Sequence, residues 1–245
     1  MPASEEPKVH AHLVLVRHGE STNNALGVFT GWRDIALTER GREQAVAAGR
    51  RLRATPLRFD AVFTSVLQRA VETAALLTAE LAPPVPAPRA LWRLNERHTG
   101  AMQGLTKSAA KRAFGSELAR TYRRSWDTAP PPVAAGSADD PRGEPRYREL
   151  GDAAPRTEAM GDLAARVLPV WDDELRPLLA AGRSVLVVGH GMALRALARP
   201  VEGLAEPRLP DWKLASAAPR WYQLDATLRP LAILDLGVGD DAPDE

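Results

Sequence analysis

Two histidines stand where the sequence predicts that buried strands end. His18 follows Leu13–Val16, an aliphatic run typical of a buried strand, and has Arg17 beside it. His190 follows Ser184–Val188, a second run of this kind, and lies between two glycines. Because ligands of open α/β sheets bind at the carboxyl ends of the strands, we expect the two imidazoles to converge on one site. An imidazole can attack phosphorus, and the neighbouring arginine favours an anionic substrate; the alternative is two strands that end in polar surface residues.

Two further residues suit the chemistry of an anion site. Arg69 falls in the first turn of a predicted helix that Ser65 caps. A positive charge there opposes the helix dipole, so an arginine at this position favours a bound anion. Glu96 precedes Arg97 in a predicted loop, where it can act as a general acid and base or belong to a solvated charge cluster.

Small polar residues follow the first predicted strand. Ser21, Asn24, Thr30 and Gly31 lie in a segment that can present hydroxyls, amides and backbone N–H groups to an anion. The alternative is an ordinary surface loop.

The sequence pattern changes at about residue 105 and returns at about residue 155. Two short helices are predicted, Thr106–Phe114 and Ser116–Trp126, followed by a segment rich in Pro, Gly and Asp. We interpret 105–155 as an insertion that covers the site. Its cations Lys107, Arg123 and Arg124 either face the site or form an exposed charged surface.

Composition limits the classes of protein that the chain can be. Its 245 residues suit a single domain, here predicted as 12–236, with a flexible leader at 1–11 and an acidic tail at 237–245. His10 and His12 are expected to be solvated in or beside that leader. A net charge of +1 predicts no nucleic acid partner, and no apolar run reaches the ~20 residues of a membrane span. The chain has no cysteine, and a cytoplasmic location is the expected default.

The periodicity predicts a three-layer α/β/α sandwich with a mostly parallel central sheet. A helix capped by Thr38 runs to about Leu52, and another at Arg156–Leu179 is divided or kinked by Pro169 and Pro177. The remaining predicted elements are a helix at Met192–Ala198 and strands at Phe59–Thr64, Ala90–Leu94, Trp221–Leu224 and Leu231–Leu234.

Several motifs resemble those of the histidine phosphatase superfamily. They are Leu15–Ser21 (LVRHGES), Thr64–Ala70 (TSVLQRA), Leu94–His98 (LNERH) and Gly189–Gly191 (GHG). Within the superfamily the chain resembles the 2,3-bisphosphoglycerate-dependent phosphoglycerate mutases, on Phe29–Trp32, Asn95–His98, Gln103–Leu105, and Arg123–Arg124 followed by Pro130–Pro132. The resemblance extends from about residue 12 to residue 235.

The resemblance implies a role for each matching residue. His18 would become a phosphohistidine, Glu96 would be the general acid and base, and Arg17, Arg69 and His190 would surround the transferring phosphoryl group. The implied substrate-binding residues are Ser21, Asn24, Thr30, Gly31, Arg97, Lys107, Arg123, Arg124, Gly191 and Met192. The implied activity interconverts 3-phosphoglycerate and 2-phosphoglycerate. 2,3-Bisphosphoglycerate would prime His18, no metal would be needed, and the partner is a small phosphorylated sugar acid; a homo-oligomer is compatible with the sequence.

Some positions depart from the mutase pattern. Thr99 stands where the mutases usually carry tyrosine, Thr106 where they carry asparagine, and Met192 where they carry asparagine. These differences leave an alternative, a histidine-type phosphatase that hydrolyses small phosphomonoesters. A binder of phosphorylated ligands without catalysis is the remaining hypothesis.

Overall fold

One mixed sheet forms the centre of the computed structural model, which describes residues 8–237. Its strands are β1 (Ala11–Arg17), β2 (Ala61–Thr64), β3 (Arg89–Ala90), β4 (Ser184–Gly189), β5 (Arg220–Leu224) and β6 (Pro230–Asp235). The order across the sheet is β3-β2-β4-β1-β5-β6. The first four strands in this order pair in parallel, and β5 and β6 are antiparallel. The predicted α/β class with a mostly parallel sheet is confirmed.

Helices flank the sheet and form most of the segment 105–155, the predicted insertion. The α-helices are α1 (Thr22–Ala25), α2 (Glu39–Arg53), α3 (Gln68–Ala79), α4 (Lys107–Phe114), α5 (Ser116–Arg124), α6 (Met160–Val170), α7 (Arg176–Ala180) and α8 (Gly191–Glu202). A π-helical turn, Trp171–Leu175, joins α6 to α7. Short 3₁₀ helices occur at Trp92–Leu94, Gly100–Met102, Pro141–Gly143, Pro145–Ala153 and Glu206–Asp211. Within residues 8–237, none of the helices has the length and apolar character needed to cross a bilayer.

Alternation along the two central strands creates the three layers. In β1, Leu13 and Leu15 pack on one face with α6, α7 and α8, whereas Val14 and Val16 pack on the other with α2 and α3. β4 divides in the same way, and all six of its residues are buried. A strand covered on both faces has a continuous apolar run, which is why these two strands are evident in the sequence.

The register of the central pair places the two histidines side by side. Val16 pairs with Val188 and Arg17 with Gly189, so both strands end at the same level. The next residues are His18 and His190, and the backbone N–H of His18 donates to the Gly189 carbonyl at 2.9 Å. The parallel pairing of β1 and β4 therefore brings together residues that are far apart in the chain.

The helix predicted at Arg156–Leu179 differs from the observed one at its start. α6 begins at Met160, because the preceding segment is extended and the Glu158 N–H donates to the His98 carbonyl at 2.9 Å. Pro169 lies within the last turn of α6, and the π-helical turn follows it. Pro177 lies in the first turn of α7, directly after the π-helical turn. The predicted division of this helix is confirmed.

The predicted leader and tail lie mostly outside the described residues. Where the chain is described, β1 begins at Ala11, inside the predicted leader, and the His10 N–H donates to the Leu224 carbonyl. His12 is part of β1, and its Nδ1 accepts a hydrogen bond from Trp221 Nε1 at 3.1 Å. The expectation of a solvated His12 is therefore wrong, because sheet pairing with β5 orders this segment.

Candidate active site

His18 lies at the end of β1 with its side chain buried. Its Nδ1 lies 2.7 Å from the Gly19 carbonyl oxygen, which can only accept, so Nδ1 carries the ring proton. Nε2 is then left with its lone pair, and it accepts a hydrogen bond from Arg69 Nε at 3.3 Å. Burial lowers the pKa of His18 well below its ordinary value, and the charges of Arg69 and Arg17 lower it further. The imidazole is therefore neutral near pH 7 and has the tautomer of a nucleophile.

Arg69 is the second residue of α3 and is almost fully buried. Its two terminal nitrogens donate to the carbonyls of Arg33 and Gly31, each at 3.0 Å. Gly31 accepts this bond from a backbone with φ of +54°, a conformation that favours glycine. Burial lowers the pKa of Arg69 to about 10, so the guanidinium stays protonated at neutral pH. Two of its five N–H groups remain for an anion.

Ser65 contacts His190 and does not cap the helix predicted after it. Its Oγ lies 2.7 Å from His190 Nε2 and accepts the Leu67 N–H at 3.2 Å. The N-cap of α3 is Leu67, so the prediction that Ser65 caps this helix is wrong. This serine instead fixes the orientation of the imidazole.

His190 is buried at the start of α8, and its ring centroid lies 5.0 Å from that of His18. Its Nδ1 is buried and has no hydrogen-bond partner among residues 8–237. Burial lowers the pKa of His190 well below its ordinary value, and the positive charge of Arg69 lowers it further. A neutral ring bonded to Ser65 through Nε2 can carry its proton on Nδ1 and donate it to an anion.

Glu96 is held at both its carboxylate and its backbone. Oε1 accepts the Arg97 N–H at 2.7 Å, and Oε2 accepts the Met192 N–H at 3.4 Å. The Glu96 carbonyl accepts from Trp32 Nε1 at 2.6 Å and from Arg166 Nη2 at 3.1 Å. The side chain is half-buried and faces a pocket, as a group that exchanges protons with a ligand must.

A pocket of about 170 Å³ brings most of the predicted residues together. Its lining is Arg17, His18, Asn23, Asn24, Gly27, Val28, Phe29, Thr30, Gly31, Arg69, Glu96, Arg97, Thr99, Lys107, Arg123 and Met192. We call it the catalytic pocket. Four predicted residues are outside this lining: His190 lies against His18, Gly191 begins α8, Arg124 lines a neighbouring cavity, and Ser21 is buried.

Ser21 is the N-cap of α1 and positions Asn24. Its Oγ accepts the Asn24 N–H at 3.3 Å and donates to Asn24 Oδ1 at 2.8 Å. Oδ1 also accepts the Ser21 N–H, which completes a capping box. Ser21 therefore has a structural position here, and Asn24 is the residue of this pair that lines the catalytic pocket.

The insertion contributes part of the pocket wall. Lys107 is the first residue of α4 and Arg123 lies in the last turn of α5, and both line the catalytic pocket. Arg97 links the insertion to the rest of the domain, because its Nη1 donates to the carbonyls of Tyr122 at 2.9 Å and Glu158 at 3.1 Å. Its Nε is buried and has no partner in the described part of the chain.

Arg166 and Glu158 form a buried ion pair that the sequence reasoning missed. Their side chains are 6% and 3% exposed, and they meet in a fork of 2.6 and 2.8 Å. Arg166 also donates to the carbonyls of Arg93, Asn95 and Glu96, and Glu158 accepts the His98 N–H. The pair thus fixes the turn that carries Glu96. Nothing in the local pattern marks it, because both residues lie among ordinary charged positions.

Close backbone packing explains why a glycine follows His18. A Cβ at Gly19 would collide with the Gly41 carbonyl oxygen at the start of α2. The Gly19 N–H donates to Thr73 Oγ1 at 3.1 Å, so the turn after His18 is held from both sides.

In the described part of the chain, no three His, Cys, Asp or Glu side chains meet in a group that could hold a metal ion.

Comparisons with known proteins show the family to which this chain is related. Residues 13–229 match the histidine phosphatase superfamily (branch 1). A relative from Mycobacterium leprae, a 2,3-bisphosphoglycerate-dependent phosphoglycerate mutase, is 44% identical over 224 residues, covering 90% of this chain and 89% of the relative. A protein of the same name from Nocardioides sp. is 43% identical over 219 residues, covering 89% and 88%.

The fold also matches that of solved structures. A mycobacterial glucosyl-3-phosphoglycerate phosphatase superimposes with a TM-score of 0.65 at 25% identity, covering 94% of this chain and 99% of that one. Sequence and fold therefore agree on the family, and the relatives include both mutases and a phosphatase.

Proposed function

The chain belongs to the histidine phosphatase superfamily, and on that premise we propose that it is a 2,3-bisphosphoglycerate-dependent phosphoglycerate mutase. The observation that carries the proposal is the state of His18, a neutral imidazole whose Nε2 lone pair is held beside Arg69 in an arginine-lined pocket. Phosphoryl transfer depends mainly on positioning and on stabilising the charge of the transferring group. Arg17, Arg69 and the Nδ1 of His190 supply that stabilisation.

The first transfer moves a phosphoryl group from His18 to the substrate. The substrate hydroxyl gives its proton to the Glu96 carboxylate while its oxygen bonds to phosphorus. The bond between Nε2 and phosphorus breaks, and its electron pair returns to the imidazole. The ring becomes neutral and keeps its proton on Nδ1, which donates a hydrogen bond to the Gly19 carbonyl. The product of this step carries two phosphoryl groups.

The second transfer reverses these roles at the other oxygen. Nε2 of His18 attacks the second phosphorus, and the bond to the sugar-acid oxygen breaks. The protonated Glu96 gives its proton to that leaving oxygen. The phosphohistidine is restored and the isomerised monophosphate leaves. The half-buried Glu96 suits both roles, since Arg97 and Met192 hold its oxygens through backbone N–H groups.

The pocket residues fit a bisphosphorylated primer. Arg17 and Arg69 lie with His18, and Lys107 and Arg123 supply further cations from the insertion. The buried Nδ1 of His190 and Nε of Arg97 are donors with no acceptor among the described residues. 2,3-Bisphosphoglycerate would supply the phosphoryl group that first charges His18. We propose that the protein serves glycolysis and gluconeogenesis in the cytoplasm, where phosphoglycerates are interconverted.

Isomerisation of 3-phosphoglycerate tests the proposal directly. We expect turnover that rises on addition of 2,3-bisphosphoglycerate, and acid-labile phosphate on His18. His18→Ala should lose at least about 10³-fold in kcat. His10→Ala is the matched control, because His10 is exposed and lies before β1. Absence of isomerisation in the unmodified protein, with and without the bisphosphate, would refute the proposal.

A phosphatase is the second candidate, and two residues of the pocket favour it. Thr99 has a buried hydroxyl with no partner in the described chain, and Met192, whose backbone N–H donates to Glu96, is an apolar residue in the pocket lining. Water would then take the position of the accepting hydroxyl. Phosphate release from several unrelated monoesters, faster than isomerisation, would favour the phosphatase. Strict dependence on phosphoglycerates would favour the mutase.

A further inference from the structure

A second cavity adjoins the catalytic pocket beneath the insertion. It measures about 710 Å³ and lies between α4, α5 and Phe29. Phe29, Lys107 and Arg123 line both cavities, so the two are adjacent and share part of one wall. The second cavity is further lined by Lys111, Arg120 and Arg124. We call Lys107, Lys111, Arg120, Arg123 and Arg124 together the basic groove.

The basic groove has a strong excess of positive charge. Its lining contains five cations and the carboxylate of Glu117. Within residues 8–237, no carboxylate forms an ion pair with Lys107, Lys111, Arg120 or Arg124. Lys111, Arg120 and Arg124 are exposed, so their ammonium and guanidinium groups are accessible to a ligand. Such a surface attracts polyanions, and the walls of a cleft concentrate the electric field of the charges that line it.

The proposed chemistry creates a need for such a surface. After the first transfer the intermediate carries two phosphoryl groups, and the second of them must face His18 before the reaction can finish. The molecule must therefore turn end over end, and a site that retains it during this reversal makes release and rebinding unnecessary. The adjacent groove is about four times as large as the catalytic pocket by the two volumes given above.

Resting on the proposed function, we propose that the basic groove is a second anion site that holds the bisphosphorylated intermediate while it reverses. Lys107 and Arg123 contact the anion from either cavity, because they belong to both linings. Lys111 and Arg120 hold the phosphoryl group that has left the catalytic pocket. These two residues line the groove and not the catalytic pocket, so they separate the groove's contribution from that of the catalytic groups.

A double variant, Lys111→Gln with Arg120→Gln, tests this retention. Protein carrying radioactive phosphate on His18 is mixed with unlabelled 3-phosphoglycerate, and the label is divided between free bisphosphate and 2-phosphoglycerate. We expect the fraction released as free bisphosphate to rise at least threefold in the double variant. Arg112→Gln is the matched control, since Arg112 is an exposed cation of α4 outside both linings, and it should match the unmodified protein.

Equilibrium binding gives a readout that does not depend on turnover. Calorimetric titration of His18→Ala protein with 2,3-bisphosphoglycerate should show a tight site and a weaker second site. The double variant in the same background should lose the weaker site and keep the tight one. Thermal unfolding checks that the exposed substitutions leave the fold intact.

The outcomes separate the two proposals. If His18 cannot be phosphorylated and no isomerisation occurs in the unmodified protein, the proposed function fails. If isomerisation is normal but the released fraction and the number of sites are the same in all variants, the proposed function stands and the groove is not a second anion site.

Discussion

Nε of Arg69 donates a hydrogen bond to Nε2 of His18 at 3.3 Å. The proposed nucleophile is thus paired with the cation that would stabilise the group it attacks. The other two nitrogens of Arg69 are fixed by the carbonyls of Gly31 and Arg33. The guanidinium therefore has one orientation before any ligand arrives, which is the preorganisation that favours charge stabilisation in a transition state.

Arg69→Lys should impair catalysis although it keeps the charge. A lysine cannot make the three separate bonds of the planar guanidinium, so the position of the cation is lost. We expect kcat for isomerisation to fall by about 10²–10³-fold, with a smaller change in KM. Steady-state kinetics on 3-phosphoglycerate measures both. Arg112→Lys at an exposed position is the control, and a loss below threefold for Arg69→Lys would contradict the assignment.

Arg166→Met should destabilise the fold. It leaves Glu158 as a buried carboxylate without its partner and frees the carbonyls of Arg93, Asn95 and Glu96. Breaking a buried pair in this way costs about 3–5 kcal/mol. Urea unfolding at pH 7 measures the change. Arg183→Met is the comparison, because its ion pair with Asp60 is exposed, and it should cost less than about 1 kcal/mol.

Stability should decrease in acid because buried histidines resist protonation. Burial lowers the pKa of His98 to about 4, against an ordinary 6.5, so between these values the unfolded chain binds more protons than the folded one. The free energy of unfolding therefore falls as the pH drops below about 6.5, and His98 accounts for about 2 kcal/mol of the loss between pH 7 and pH 5. His18 and His190 act in the same direction.

His98→Asn isolates this contribution. The amide oxygen can still accept the Gly100 N–H that His98 Nδ1 accepts at 3.1 Å, but it does not titrate. Urea unfolding at pH 7 and pH 5 should show a smaller difference for the variant than for the unmodified protein. His10→Asn, at an exposed position before β1, is the comparison variant. Equal differences in all three proteins would show that His98 titrates normally.

Gly19→Ala should disturb both folding and catalysis. The added Cβ meets the Gly41 carbonyl, so backbone must move directly after His18. We expect a loss of about 1–3 kcal/mol of stability and a fall in kcat, because the Gly19 carbonyl also holds the His18 ring. Gly143→Ala is the matched control, since a Cβ there meets nothing within 4 Å. Wild-type values for Gly19→Ala would refute this role of close packing.

The sequence predicts an element best where one physical effect, such as burial on both faces or a local cap, determines its structure. β1 and β4 are buried on both faces, so their aliphatic runs are evident and place His18 and His190 correctly at their ends. Thr38 caps α2 as expected, because the cap is a local contact between Thr38 Oγ1 and the Gly41 N–H. The two helices expected between residues 106 and 126 agree with α4 and α5 to within two residues at each end.

The sequence predicts less well where a side chain has two competing partners. Ser65 has the spacing of a helix cap, but its hydroxyl bonds to His190, which follows β4 and lies 125 residues further along the chain. The ion pair between Arg166 and Glu158 matters because Arg166 also holds the turn at Asn95 and Glu96. That turn is about 70 residues away in the chain, so the contact is tertiary. Such contacts exist only in the assembled fold, and no local pattern records them.

Arg97 donates to two carbonyls from different segments, and this limits which segments can be exchanged between related proteins without loss of activity. One belongs to Tyr122 of the insertion and the other to Glu158, just before α6, while Arg97 itself follows Glu96. A chimera that receives a foreign segment at 105–155 would keep Arg97 but replace one of its two supports. Recombination breakpoints that move the turn and the insertion together should therefore yield active hybrids more often than breakpoints between them.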